Sequence, residues 1–316
     1  MVAPEKLAAV SIDLDEIDNY TAIHGLSGKL VVSPDAVYQK ALPRFAALFA
    51  ELGICATFFA IGRDLARRAN ADSLRALSRS GHEIGNHTLH HYYDLTRRGR
   101  GTQRDEVRGG ADAIEAATGV RPQGFRAPGY TIDDGLFEVL QSEGVTYDSS
   151  VFPCPGYYLP KAALISLIKL RGSESRSIVD DPRVLLAPAD PYRIGQPYYR
   201  PGRGLLELPI GVTGGLTLRA PYIGTSVVMA GEHGARWLTK LATARSFVNL
   251  ELHGIDLADA HEDGLTALMP YQHDLRRSVK QKRAALLAAF DELKRRGYRF
   301  VTLGEAAEHY GAASTR

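Results

Sequence analysis

Leu7-Ala8-Ala9-Val10-Ser11-Ile12-Asp13-Leu14-Asp15-Glu16 is an apolar run that stops abruptly on acids. It is too short for a buried helix and shows no polar alternation, so it reads as a strand covered on both faces, as in a parallel sheet flanked by helices. The carboxylates then stand at the strand's carboxyl end, where parallel α/β proteins place their chemistry. Two-residue periodicity sends Asp13 and Asp15 to one side and Leu14 to the other.

The units that follow repeat this grammar. After a loop through Gly25 and Gly28, Ser33-Pro34-Asp35 reads as a helix start, with Val37, Leu42, Phe45, Leu48 and Phe49 as its apolar face. Strands are expected at 54–61, 82–86, 124–127, 145–148, 205–210, 247–252 and 298–303. Helices are expected at 64–80, 103–118 and 133–142, and along Leu275, Val279, Leu286, Leu287, Phe290 and Leu293. Gly81 and Gly119 close two of them. Seven or eight mostly parallel strands alternating with helices predict an α/β fold, a closed or nearly closed (β/α) barrel with right-handed crossovers. The rhythm breaks between 149 and 204, rich in Pro, Tyr and Arg, which reads as a long insertion in one domain spanning 1–316 and as a binding surface.

Composition narrows the class. The chain has 316 residues, 45% hydrophobic and 23% charged, ordinary for a soluble globular domain with a sizeable core. A net charge of +2 gives no argument for nucleic acid, and the cluster Arg97, Arg98, Arg100 reads first as a solvated loop. Two cysteines cannot make a disulfide framework; Cys55 is expected as a small buried thiol, and a reducing compartment fits. No signal-peptide pattern precedes the first strand and no run reaches the roughly 18 apolar residues of a membrane span, so a cytoplasmic protein is expected. The apolar stretch 162–170, bordered by Lys161, Lys169 and Arg171, reads as a packed element or as a membrane-surface contact.

Gly85-Asn86-His87-Thr88-Leu89-His90-His91 follows the third expected strand. His87 and His91, four apart, would share one side of a helical turn and could converge on a cation, unless they are chance neighbours among ten histidines. Strand ends of one barrel face bring Asp13, Asp15, Arg126 and His253 to the same place. One carboxylate and two imidazoles leave open positions on a divalent ion, where bound water reaches a pKa of about 7. Hydrolysis is the reaction this favours. Asp15 is assigned to the metal with His87 and His91, Asp13 to the general base, Arg126 to holding Asp13 ionised, and His253 to the proton donor.

The ordered motifs SIDLDE at 11–16, ATFF at 56–59, GHEIGNHTLHH at 81–91, RAPGY at 126–130 and LELHG at 250–254 resemble the polysaccharide deacetylase family, the NodB-homology or carbohydrate esterase family four domain. The resemblance implies a distorted barrel of seven or eight strands and a divalent metal, commonly zinc, with Co2+, Ni2+, Mn2+ or Fe2+ as alternatives. It implies the same roles for Asp13, Asp15, His87, His91, Arg126 and His253, and adds the backbone amide of Tyr130 or Gly129 as an oxyanion donor. Three departures stand out. The usual Asp-Asp-Gly is Asp-Leu-Asp-Glu, a spacing similar to a branch with some peptidoglycan-deacetylase-like proteins and lipid-linked deformylases. The proline expected after the second histidine ligand is Tyr92, and Gly129 is inserted before Tyr130. His90 could replace His91 at a three-residue spacing.

The expected activity is removal of an N-acetyl or other small acyl group from an amino sugar or glycoconjugate. An N-deformylase or amidase acting on a lipid-linked or non-sugar amide would use the same chemistry. A carbohydrate-binding pseudoenzyme would need neither Asp13 nor His253. A glycosidase pairing Asp13 with Glu251 would leave the histidines unexplained, and Glu251 is expected to alternate away from His253.

Overall fold

The computed structural model describes residues 5–170, 177–214 and 219–313. Strand β1 (Leu7–Asp13) is buried along its whole length. β8 (Phe247–His253) pairs with all of one edge, while β9 (Arg299–Val301) and β2 (Thr57–Ala60) share the other, β9 against residues 7–9 and β2 against 11–13. Outward from β2 run β3 (Glu83–Asn86), β4 (Gly124–Phe125), β5 (Tyr147–Asp148), β7 (Pro201–Glu207) and β6 (Tyr192–Ile194). Nine strands form among the described residues, against the seven or eight expected, and every pair is parallel except β6–β7. Past β7 the chain donates Gly211 N–H to Asn249 O of β8 at 2.8 Å, so the curled sheet nearly closes into a distorted barrel.

The alternation along β1 sorts the core. Ala8, Val10, Ile12 and Leu14 join the main cluster beneath α2 (Leu42–Leu52) and α8 (Val279–Arg295). Leu7 and Ala9 face inward with Tyr147, Leu206, Phe247 and Leu303, an apolar plug at the barrel floor that α9 (Leu303–Ala313) helps close. Ser11 and Asp13, of the same parity, sit above the plug in a polar layer. The inner wall therefore changes from hydrocarbon to hydrogen-bonding groups within one strand, and the site stands on a buried apolar floor.

The remaining helices are α1 (Ile17–Ile23), α3 (Arg68–Arg79), α4 (Arg100–Thr118), α5 (Asp134–Ser142), α6 (Pro155–Leu170) and α7 (Gly224–Ala242). α1 lies where a loop was expected; Glu16 caps its first amide, and the same carboxylate accepts from Val37 and Tyr38 N–H. The expected helix after Ser33-Pro34-Asp35 begins instead as a π-turn (Val37–Ala41) before α2. α7 was not foreseen from the sequence; it breaks at Gly231 (φ 66°) and packs mainly on α8. The insertion contains α6, a turn at Pro182–Leu186, β6 and the start of β7. Stretch 162–170 is helical; Arg171 and several of its side chains, Lys169 included, lie outside the described residues. Cys55 is exposed rather than buried, because β2 begins only at Thr57. No helix among the described residues is long and apolar enough to cross a membrane.

Asp148 of β5 and Glu207 of β7 face one another in register, both fully buried. Asp148 accepts from Ser150 N–H and Oγ, whereas Glu207 accepts from Val151 N–H and keeps one oxygen without a donor. Burial first, then the neighbouring Asp148 charge, push the Glu207 carboxyl well above its ordinary value. A raised folded-state value stabilises the protein at low pH, and that contribution is lost as pH climbs from the unfolded value, about 4.3, through the folded one. Glu207→Gln keeps the neutral shape at every pH. Its melting temperature should match the wild type in acid and exceed it by about 2 °C or more above neutrality; parallel melting curves across the pH range would refute a raised Glu207 carboxyl.

Candidate metal centre

Asn86, the last residue of β3, organises the loop that follows. Its Oδ1 accepts from Thr88 N–H at 2.9 Å, its Nδ2 donates to Val107 O, and Thr88 Oγ1 accepts from His91 N–H. His87 remains tied to the sheet through its N–H to Ala60 O. The two imidazoles therefore meet across an irregular loop and not across the helical turn expected. Thr88 (φ 69°) and His91 (φ 59°) adopt left-handed backbone that costs a non-glycine residue on the order of 1 kcal/mol or more. α4 passes so close that a Cβ on Gly110 would fall 2.3 Å from Asn86 Oδ1 and 2.7 Å from the Thr88 carbonyl carbon. Only glycine fits there.

The loop brings His87 Nε2 and His91 Nε2 to 3.1 Å from each other and to 3.4 and 3.2 Å from Asp15 Oδ1. All three groups are buried, and Asp15 Oδ1 has no hydrogen-bond donor among the described residues. His87 Nδ1 lies 2.7 Å from Arg126 O, which fixes the proton on Nδ1 and leaves the Nε2 lone pair facing Asp15 and His91. Donor atoms at these spacings are the edges of a tetrahedral face around a cation at about 2.0–2.2 Å, with ligand types zinc accepts. The residues fit a divalent metal. His90 is not part of the triad: its Nδ1 pairs with Glu106 Oε1 at 2.6 Å, and its ring stacks on Tyr92.

Asp13 lies beside the triad, Oδ2 3.8 Å from His87 Nε2. Its Oδ1 accepts from Arg126 Nη1 at 2.7 Å. Arg126 is wholly buried, yet every arm is used: Nε donates to Ser149 O, and Nη2 donates to Ser11 Oγ and Ser149 Oγ. Its guanidinium also lies 4.2 Å above the Phe59 ring. A planar cation satisfied this completely fixes the position of one carboxylate.

His253, ending β8 opposite Asp13 in register, shares a cavity of about 400 Å³ with Asp13, Asp15, His87, Tyr20, Tyr93, Tyr130 and Tyr157. Its Nε2 is 3.3 Å from Tyr130 Oη, and its Nδ1 is 3.0 Å from Glu251 Oε1. Glu251 thus shares the face of His253, contrary to the alternation expected; residues two apart on a strand point the same way. Glu251 is fully buried beneath the cavity and pairs with the imidazole. Sequence reasoning missed this partner, although the i, i+2 spacing held the signal. Burial pushes the His253 imidazole down, but the charges of Glu251, Asp13 and Asp15 outweigh it and hold the group well above its ordinary value. Glu251→Gln should bring the alkaline fall of kcat to lower pH by on the order of one unit, because the imidazolium loses its principal stabilising charge. An unmoved pH profile would leave Glu251 without that role.

Of the two candidate oxyanion amides, Tyr130 N–H already donates to Ala127 O at 3.0 Å, leaving Gly129 N–H as the uncommitted one among the described residues. Gly129 and Tyr130 are both left-handed (φ 61° each), so the inserted glycine turns the motif at a place where its neighbour also bears strain. Lys161, from α6 in the insertion, donates to Gly129 O at 2.9 Å. The arginines at 97–100 lie outside this cavity; Arg98 pairs with Asp94 and Arg100 with Glu138.

Residues 27–147 match the sequence profile of the polysaccharide deacetylases, a span that contains His87, His91 and Arg126 but not Asp13, Asp15 or His253. No curated protein sequence matches the chain. Among solved structures, a Mycobacterium smegmatis protein assigned to the polysaccharide deacetylases is similar at a TM-score of 0.56 and 18% identity, over 99% of this chain and 93% of that one. The Xyl-CE4 domain of a multidomain xylanase from the hindgut metagenome of Trinervitermes trinervoides is similar at a TM-score of 0.50 and 16% identity, over 97% and 92%. At these identities the likeness is one of fold.

Proposed function

We propose that this chain, whose residues 27–147 match the polysaccharide deacetylase profile, is a metal-dependent hydrolase that removes an N-acetyl or other small acyl group from an amino sugar or glycoconjugate. The observation that carries the reading is the buried set of Asp15 Oδ1, His87 Nε2 and His91 Nε2, 3.1 to 3.4 Å apart, with Asp13 on one side and His253 across the cavity. A divalent cation held there, zinc first among the candidates, supplies Lewis acidity toward the acyl oxygen and makes water easier to deprotonate.

The protein's own groups perform the proton transfers. Asp13, with Oδ1 fixed by Arg126, takes a proton from the attacking water on Oδ2 as oxygen bonds to the acyl carbon. Gly129 N–H stabilises negative charge gathering on the acyl oxygen. His253, kept protonated beside Glu251, gives its proton to the departing nitrogen as the C–N bond breaks, so a free amine and a carboxylate result. The tyrosine walls exclude water from around these groups and give a sugar ring a face to lie against.

The test is release of acetate or formate from acylated amino sugars, glycoconjugates and simple amides, before and after chelation. Acetate released from an amino sugar, lost with chelator and restored by a divalent ion, is the expected result. Formate release, or turnover of a non-sugar amide alone, would shift the assignment to an N-deformylase or amidase. Turnover indifferent to chelation would overturn the metal, and binding of sugars without turnover would mark a pseudoenzyme.

A further inference from the structure

Lys161 is the one member of the cavity wall whose charge the proposed chemistry leaves unused. It is carried by α6, outside the stretch that matches the family profile. Lys161 lines the cavity with Tyr130, Tyr157 and His253. Among the described residues no carboxylate oxygen lies within 4.0 Å of it, and its partners are the Gly129 carbonyl at 2.9 Å and the Tyr157 ring, 5.5 Å from its nitrogen to the ring centre. The nearest acid by influence is Asp180, itself pushed up to about 7 by burial and so a weak counter-charge near neutral pH. Burial likewise brings Lys161 down to about 8, the cost of a cation without a full partner.

Clamping Gly129 does not account for a lysine. One donor suffices to hold a carbonyl, and a neutral side chain would do so without desolvating a charge. An ammonium has three N–H groups, and only one is committed to Gly129. A part-buried ammonium at the edge of a substrate cavity becomes favourable when the ligand brings the missing negative charge, and a cavity of about 400 Å³ admits an acylated hexosamine with a charged substituent.

We propose that the substrate is an anionic acyl-amino sugar, bearing a carboxylate or phosphate on or next to the ring that carries the amide, and that Lys161 is the counter-ion that selects it. This inference rests on the reading of the chain as an amino-sugar deacylase. It places the specificity of the site in the insertion and its chemistry in the barrel.

The decisive comparison uses the metal-loaded protein and three probes: N,N′,N″-triacetylchitotriose as the neutral one, N-acetylmuramic acid for carboxylate and N-acetylglucosamine 6-phosphate for phosphate. Wild type should favour one charged probe over the neutral one in kcat/KM. Lys161→Met should raise KM for that probe about tenfold to a hundredfold, the worth of a charge-assisted hydrogen bond, and collapse the charged-to-neutral ratio. Lys161→Arg, which keeps the charge and guards against a variant that fails to fold, should retain most of the ratio. Equal losses of kcat on all three probes in Lys161→Met would show a clamp on Gly129 alone and overturn the proposal, as would a wild type with no charge preference. Calorimetric titration with glucose 6-phosphate and glucuronate against glucose separates the two readings. Charged-sugar binding that depends on Lys161, in a protein that releases no acyl group, sinks the deacylase and keeps the anion site; equal binding of all three sinks the anion site.

Discussion

His87→Ala and Asp15→Ala should each lose the metal and lower turnover by at least about 10³, since a cation's stabilisation of developing charge is worth several kcal/mol. The geometry makes the effect steep. Three donors surround one point with no fourth protein ligand among the described residues, so removing one leaves two, too few to retain a divalent ion against solvent. Removing Asp15 also leaves two imidazole nitrogens 3.1 Å apart without the carboxylate between them. Elemental analysis and melting temperature with and without chelator are the measurements. Wild type should melt lower after chelation, because a ligand that binds only the folded state stabilises it by mass action, and both variants should be indifferent. Full metal occupancy in either variant would remove that residue from the coordinating set.

Asp13→Asn and His253→Ala should keep the metal and still lose roughly 10² to 10⁴ in kcat, the usual worth of a positioned base or acid. The two variants differ in their side effects, which helps separate chemistry from folding. Asp13→Asn leaves the buried Arg126 cation without its carboxylate, a change that costs on the order of 3–5 kcal/mol in stability. Truncating the part-exposed His253 instead leaves the fully buried Glu251 carboxylate without its partner, a cost of the same kind borne by the opposite charge. A metal-loaded, folded protein with near-normal turnover in either variant would strip the residue of its assigned role.

The fold was legible where local pattern and tertiary environment agree. Apolar runs such as 7–12 and 247–252 can only be strands covered on both faces, and their polar ends then have to share one rim. That argument placed Asp13, Asp15, Arg126 and His253 together from sequence alone; the structure sets Asp13, Asp15 and His253 around one cavity with His87, while Arg126 lies buried behind Asp13 and His91 joins through the triad. What pattern could not carry is backbone that only tertiary packing imposes. Thr88 and His91 are poor residues for left-handed backbone, and they hold it because Asn86 and α4 leave no alternative. α7 begins soon after Gly214-Gly215 and contains Gly231 and Gly234, a composition that reads as loop until its packing against α8 is known. The antiparallel β6 hides in a Pro- and Gly-rich stretch for the same reason.

The hydrogen bond from Lys161 to the Gly129 carbonyl ties residues far apart in the chain, of which only Gly129 lies in the stretch that matches the family profile. Exchanging the segment between 149 and 204 with that of a related protein would therefore not be a clean transplant of preference. The graft would carry away a support of the turn that presents the Gly129 amide, and a chimaera built to accept a new sugar would have its rate reset along with its taste.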